Sequence, residues 1–170
     1  MQKIEVTENG TLFAYSYRDI MRYHGTGFPG GAACAFRAME RVFPLLDHGT
    51  PPERREISIV TAFTGIGGRD AFEMVTRCVT DGRYHVDPEL PEAENAEESP
   101  CGHYYFRFSY RGKEIVATLR PEFGHEEFNR ISRKAAKTPE DEQTLAKMRM
   151  AIARCMMKAQ AEEIYDVTEL

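Results

Sequence analysis

The sequence predicts an α+β domain in which a small, mainly antiparallel sheet is backed by helices. Two observations support this fold class. Helix-like and strand-like segments occur in the order helices, strand, helix, hairpin, helices. In addition, residues 104–110 and 114–119 are rich in aromatic and β-branched side chains, and a short polar turn that contains Gly112 joins them as in a β-hairpin.

Length and composition indicate one water-soluble domain spanning residues 1–170. Hydrophobic residues make up 42% and charged residues 29% of the chain, which excludes a disordered protein. The net charge of −5 disfavours nucleic acid or an anionic membrane as a partner. No apolar run approaches the ~20 residues of a bilayer span. Charged residues stand where a signal peptide would be apolar, so we expect a cytoplasmic protein.

The N-terminal part of the chain predicts two helices separated by a glycine-rich turn. Residues 11–23 indicate a short strand or turn followed by a helix, which the four glycines and the proline of residues 24–31 must end. A second helix follows, because apolar residues recur there at intervals of three and four until the turn at residues 48–52. These apolar residues are Phe36, Met39, Val42, Phe43 and Leu46.

A strand, a glycine-rich loop and a further helix are expected next. Residues 57–64 are rich in β-branched side chains and predict the strand, and residues 65–68 predict the loop. Asp70 and Glu73 resemble a capping box, so we expect Asp70 to open the helix.

The C-terminal part predicts one solvated loop and two more helices. Residues 87–100 carry six acidic side chains and no basic one, which indicates an acidic surface loop. A short helix is expected around residues 126–135. Thr138 and Pro139 provide an N-cap and a first-turn proline for a long helix over residues 139–161.

The sulfur-containing residues form no metal-binding motif. None of the four cysteines belongs to a CxxC pair, so neither a zinc ribbon nor a thioredoxin-type redox site is indicated. We expect them to be free thiols that pack as small apolar side chains. The methionines of the C-terminal helix are expected to contribute to the core or to a dimer interface.

Two glycine-rich turns form the candidate site. In residues 24–31, His24 stands at a helix end, and the free N–H groups of the next helix suit an anionic or polar ligand. In residues 65–70, Arg69 and Asp70 stand beside a strand end, where ligands commonly bind. The second turn lacks the third glycine of a dinucleotide fingerprint, so no Rossmann fold is expected. Purely structural roles, as a turn histidine and a helix cap, remain open for His24 and Asp70.

Three segments carry a family resemblance. Residues 24–30, His-Gly-Thr-Gly-Phe-Pro-Gly, resemble the HGHxCPG turn of the FmdE-like family, whose name comes from formylmethanofuran dehydrogenase. Asp70 and Ala71, with Thr76 and Cys78 near the end of the same helix, look like that family's CxxDAIQxLTGC stretch. Residues 161–167 resemble its closing PEEELFEV pattern. The three segments keep their order and span nearly the whole chain.

The resemblance implies an α+β core domain that is often dimeric and belongs to anaerobic metabolism. The zinc finger that follows the core in some members is not expected here, since its paired cysteines are missing. The resemblance also implies a histidine and cysteine cluster that holds a metal or a ligand. Thr26, Phe28 and Gly67 replace a histidine and two cysteines, which leaves His24 and Cys78 as the only matching ligands for zinc or another divalent metal.

Three functions follow as alternatives. The first is a homodimeric accessory protein that binds a small anionic or cofactor-like molecule between the two turns. The second is an enzyme in which His24 is a general acid or base and Asp70 orients it. The third is a metal-tetrapyrrole binder with His24 as ligand. The expected ligand-contacting residues are Tyr23, Gly25, Thr26, Pro29, Gly30, Gly31, Gly67, Gly68 and Arg69.

Overall fold

Eight strands and six α-helices make up residues 2–170, the part of the chain that the computed structural model describes. The strands are β1 (Ile4–Glu8), β2 (Thr11–Tyr15), β3 (Ser58–Phe63), β4 (Tyr84–Val86), β5 (Glu98–Ser99), β6 (Gly102–Tyr110), β7 (Lys113–Leu119) and β8 (Tyr165–Glu169). The helices are α1 (Tyr17–His24), α2 (Pro29–Leu46), α3 (Ile66–Thr76), α4 (Glu126–Ser132), α5 (Pro139–Lys158) and α6 (Ala161–Ile164). None of these helices is both long and apolar enough to cross a membrane.

The strands form a separate hairpin and one six-stranded sheet. Strands β1 and β2 pair with each other, whereas the larger sheet has the order β4-β3-β6-β7-β8, with β5 paired to β6. All its pairs are antiparallel except β3 with β4. This mainly antiparallel sheet with helices packed against it confirms the predicted α+β class and the predicted hairpin.

Helix α2 is the centre of the core. It begins at Pro29, a residue that suits the first helical position because it needs no N–H partner. It packs against α3, α5 and the sheet, and its predicted apolar stripe is buried as expected. Edge-to-face contacts between Phe43 and Phe108, and of Phe72 with Phe106, join the helices to the sheet.

Two buried arginines donate hydrogen bonds to the last carbonyl oxygens of two helices. The apolar patterns of the sequence do not predict these arginines as buried. Arg54 donates to the carbonyl oxygens of Met74 and Val75 at the end of α3. Arg37 does the same for Met156 and Met157 at the end of α5. These carbonyls lack intrahelical donors, and the helix dipole favours a cation there, so both arginines have structural roles.

Sequence predicts the start of α5 correctly and the start of α3 wrongly. Helix α5 is capped as predicted, by a reciprocal pair of hydrogen bonds between Thr138 and Asp141. Helix α3, however, begins four residues before Asp70, with Gly65 as its N-cap. The capping box of Asp70 and Glu73 was therefore a wrong prediction, and the expected loop at residues 65–68 is mostly the first helical turn.

The acidic segment over residues 87–100 is less solvated than its composition predicts. It contains a short 3-10 turn, Pro91–Ala93, and strand β5. Ala93 is fully buried in a small cluster with Ala62, Tyr105 and Val116 on the sheet face. The prediction of a solvated loop is thus wrong for the middle of the segment, although most of its acidic side chains are exposed.

Candidate functional site

His24 and Asp70 form a hydrogen-bonded pair between two helices. His24 is the last residue of α1, and its Nδ1 lies 2.8 Å from Oδ2 of Asp70 in the second turn of α3. The histidine side chain is only 3% exposed, whereas the aspartate is 23% exposed. Arg69 contacts the other carboxylate oxygen at 3.2 Å. The expected proximity of His24 and Asp70 is confirmed, although 46 positions of sequence separate them.

The pairing fixes which nitrogen of the neutral imidazole carries the proton. An ionised carboxylate only accepts hydrogen bonds, so Nδ1 of His24 must donate to Asp70. Nε2 then carries a lone pair, and it is buried without a hydrogen-bond partner within residues 2–170. Such an atom can accept a proton or a hydrogen bond from a bound molecule, or coordinate a metal ion.

The two glycine-rich turns meet because glycine allows α2 and α3 to approach closely. A β-carbon on residue 67 would lie 2.5 Å from the carbonyl oxygen of Phe28 and 2.9 Å from the amide nitrogen of Ala32. One on Gly31 would lie 3.4 Å from the amide nitrogen of Gly68. Gly67 therefore has a packing role that the sequence interpretation, which assigned it to ligand binding, did not include, whereas the distance at Gly31 is that of an ordinary van der Waals contact.

Several backbone N–H groups at this meeting point have no acceptor. They are fewer than the roughly eight that two helix N-termini can leave without an intrahelical partner. Pro29 has no N–H group, and the Gly68 and Arg69 amides donate to the Gly65 carbonyl oxygen. The remaining donors without an acceptor in the described chain belong to Gly30, Gly31, Ile66 and Gly67.

A cavity of about 430 Å³ opens beside these glycines, and we call it the α5 cavity. It lies between the beginnings of α2 and α3 on one side and helices α4 and α5 on the other. Most of its wall is apolar. Its lining includes Phe28, Gly30, Gly31, Phe63, Thr64, Gly65, Ile66, Gly67, Ser99, Pro100, Cys101, Tyr104, Phe128, Ser132, Lys137, Glu142, Leu145, Arg149 and Ile152.

The α5 cavity does not bring all candidate residues together. His24 and Asp70 do not line the α5 cavity. Phe28 connects the two places, since it lines the cavity and its ring centroid lies 6.4 Å from that of His24. Of the expected ligand-contacting residues, only Gly30, Gly31 and Gly67 line the cavity.

The other expected ligand-contacting residues lie outside the cavity. Tyr23 and Thr26 are exposed, and Gly25 ends α1 with a φ of 86°. The carbonyl oxygen of Pro29 accepts a hydrogen bond from the Tyr17 hydroxyl. Gly68 is buried against Phe63, and Arg69 is exposed beside Asp70.

Sequence reasoning missed the half of the cavity that α4, α5 and residues 99–104 supply. Glu142, Leu145, Arg149 and Ile152 follow at helical spacing along α5, so they share one face. The sequence did contain one signal for this part of the wall, which is the polar Arg149 at helical spacing between the apolar Leu145 and Ile152. The Cys101 thiol also lines this wall, and burial raises its pKa despite the positive charge of Arg149 nearby.

The residues implied as metal ligands do not fit a shared metal site. Cys78 lies just after the C-terminal end of α3, eight residues beyond Asp70, which corresponds to about 12 Å of helical rise. Its thiol is fully buried, and desolvation raises its pKa to about 11, which disfavours the thiolate that binds metals. Within residues 2–170, no three histidine, cysteine or acidic side chains come together as metal ligands.

The cysteine that the family motif has at the position of Gly67 would not fit here, because the close contact between α2 and α3 leaves no room for its side chain. A tetrapyrrole in the α5 cavity would not have His24 as its ligand, since His24 is absent from the cavity wall.

Compared with known proteins, the chain matches no family model, and the search of curated proteins finds no match either.

Proposed function

We propose that this protein binds a small, mainly apolar molecule in the α5 cavity. The observation that carries the proposal is the cavity itself: about 430 Å³, walled largely by apolar side chains, with a few polar groups at separate points. Ligand sites in proteins commonly have this volume and this balance of apolar wall and sparse polar groups. Exposed Phe28 and Ile66 at the cavity provide apolar surface that a ligand would cover.

A neutral fluorescent probe tests this proposal. We expect 2-acetylnaphthalene to bind the protein and to change its emission as it enters an apolar site. The variant Thr64→Trp fills the cavity from its wall and should abolish binding. Thr26→Trp is the matched control, because Thr26 is also exposed but lies outside the cavity. Equal binding by both variants, or no binding by the native protein, would contradict the proposal.

The second candidate function is an enzyme that uses His24 as a general base. The specific observation in its favour is the 2.8 Å contact with Asp70 together with the unpartnered, buried Nε2 atom. Asp70 would hold the ring in the tautomer that leaves Nε2 free and would stabilise the imidazolium formed when Nε2 takes a proton. Phe28, between His24 and the cavity, would have to turn aside for a substrate to reach Nε2.

An activated ester tests the second candidate without knowledge of the natural substrate. Hydrolysis of p-nitrophenyl acetate should fall in His24→Gln and in Asp70→Asn. It should not change in His48→Gln, because His48 is exposed on the turn after α2. The same rate in all variants would argue against a base at His24.

We also propose that the chain is a cytoplasmic homodimer of the FmdE-like type. The motifs at residues 24–30 and 161–167 support the family assignment, and the meeting of the His24 turn with the Asp70 helix agrees with it. Four free cysteines fit a reducing compartment. Met150 on α5 is 49% exposed and offers apolar surface to a second copy. Light scattering tests the dimer, since a mass near 19.4 kDa would show a monomer.

A further inference from the structure

Arg149 is a cation in the wall of the α5 cavity that has no anionic partner in the described chain. Its guanidinium lies 5.4 Å from the centre of the Phe28 ring, and no carboxylate within residues 2–170 lies within 4.0 Å of it. The side chain is partly buried. An arginine that stands at an apolar wall without a counter-ion is free to pair with an anionic group of a bound molecule.

Other arginines of this protein show what a structural role looks like. Arg37 and Arg54 are buried, and each donates to two carbonyl oxygens at a helix end. On the surface, Arg111 and Arg130 each hold a carboxylate with two nitrogens. Arg149 makes neither kind of contact; its guanidinium lies against Phe28 and near the Cys101 thiol, both of which line the cavity.

The remaining charges of the cavity indicate which anion suits Arg149. Glu142 lies seven residues earlier on the same helix face, about 10 Å away along the axis, so it does not neutralise Arg149. Lys137, on the loop before α5, is exposed and donates to the Lys134 carbonyl oxygen. The lining thus carries two cations, Arg149 and the exposed Lys137, against one carboxylate, Glu142, and this small positive excess on an apolar wall favours a ligand with a single negative charge over a phosphate or other dianion.

We infer that the ligand of the α5 cavity is an apolar carboxylate whose carboxyl group pairs with the Arg149 guanidinium. This inference rests on the proposed ligand-binding function and names the class of molecule bound. The planar guanidinium donates two parallel hydrogen bonds to a carboxylate, which neither lysine nor a neutral side chain reproduces. The apolar part of the molecule would lie against Phe28, Leu145 and Ile152.

A matched pair of probes tests the inference at pH 7. 2-Naphthoate carries the carboxylate, whereas 2-acetylnaphthalene has the same ring system and no charge. By calorimetry we expect the native protein to bind 2-naphthoate at least about tenfold more tightly, the difference that one charge-assisted contact supplies. Arg149→Gln should remove that preference and leave the affinity for the neutral probe within about threefold. Arg149→Lys should retain part of it.

Arg154→Gln is the control, because Arg154 is an exposed arginine on the same helix outside the cavity wall. It should keep the preference for 2-naphthoate. If both probes bind the native protein equally, or if Arg149→Gln and Arg154→Gln weaken 2-naphthoate equally, the inference is overturned while the proposed function stands. If neither probe binds, both are overturned. Circular dichroism of each variant shows whether it is folded.

Discussion

The carbonyl oxygen of Phe28 lies 2.5 Å from the place that a β-carbon on Gly67 would occupy. This contact joins the start of α2 to the start of α3, and both groups belong to backbone that cannot move aside easily. We therefore expect Gly67→Ala to destabilise the protein by at least about 2 kcal/mol, as overpacking against a fixed neighbour does. Chemical denaturation monitored by circular dichroism measures the change.

Gly27→Ala is the matched control for this prediction. Gly27 lies in the turn before α2, where an added β-carbon would meet no atom within 4 Å. Its substitution should change stability by less than about 0.5 kcal/mol. Equal effects at the two positions would show that the approach of α2 to α3 does not depend on Gly67. The same contact implies that placing a cysteine at residue 67 would disrupt helix packing rather than restore a metal ligand.

A second prediction concerns the tautomer of His24. Because Asp70 accepts a hydrogen bond from Nδ1, the neutral ring should carry its proton on that nitrogen. Nitrogen-15 chemical shifts at about pH 8 measure the tautomer directly. In Asp70→Ala we expect the proton to move largely to Nε2, the form that free histidine favours. Arg69→Gln removes the other ion pair of Asp70 and should leave the tautomer unchanged. An Nε2-protonated ring in the native protein would disprove the pairing.

The periodic parts of the fold could be predicted from sequence, whereas the contacts between distant segments could not. The stripe from Phe36 to Leu46 and the hairpin of β6 and β7 depend on local patterns, and both are present as expected. Strands β4 and β8 are short, and their pairing partners, β3 and β7, lie far away along the chain. Their pairing is decided by tertiary packing, which a local pattern does not record.

The site was predicted in part for the same reason. His24 and the Asp70 helix could be brought together from the resemblance of two turns. The sequence does not show which glycines of those turns serve helix packing and which serve ligand binding. Both roles favour glycine, because a close helix contact and an N–H group that approaches a ligand each need a small residue. The contribution of α5 depends on how that helix crosses α2, and only the structure supplies it.

A third prediction follows from the packing of Ala93. Although its segment is strongly acidic, Ala93 is fully buried against Ala62, Tyr105 and Val116. We expect Ala93→Asp to cost at least about 2 kcal/mol of stability, because it places a carboxylate in an apolar contact. Ala136→Asp, in the exposed connection between α4 and α5, should be close to neutral. Removal of residues 87–100 should likewise destabilise the fold, contrary to what composition predicts. If Ala93→Asp leaves the free energy of unfolding unchanged, the segment is a solvated loop as composition predicts.

The last prediction is a pH dependence that originates at Glu73. This carboxylate is buried, and burial alone would raise its pKa, but several interactions outweigh that effect and hold the pKa below its usual range. Its side chain accepts hydrogen bonds from the Thr80 hydroxyl and from the N–H groups of Val79 and Thr80, at 2.8 Å and 3.0 Å for the latter two. Arg77 lies 3.2 Å away. Together these contacts fix the chain where it leaves α3.

Since the pKa of Glu73 is lower in the folded than in the unfolded chain, its ionisation stabilises the fold above the unfolded pKa of about 4.3, and this contribution disappears as the pH falls through the folded pKa. Glu73→Gln should therefore cost about 2 kcal/mol at pH 7, the usual loss for hydrogen bonds to a buried charge. The difference between the two proteins should shrink steadily below about pH 4.5. Glu94→Gln, at an exposed carboxylate, should track the native protein at every pH. Urea unfolding at pH 7, 5, 4 and 3 makes the comparison, and a constant penalty for Glu73→Gln across that range would mean that its role is steric rather than ionic.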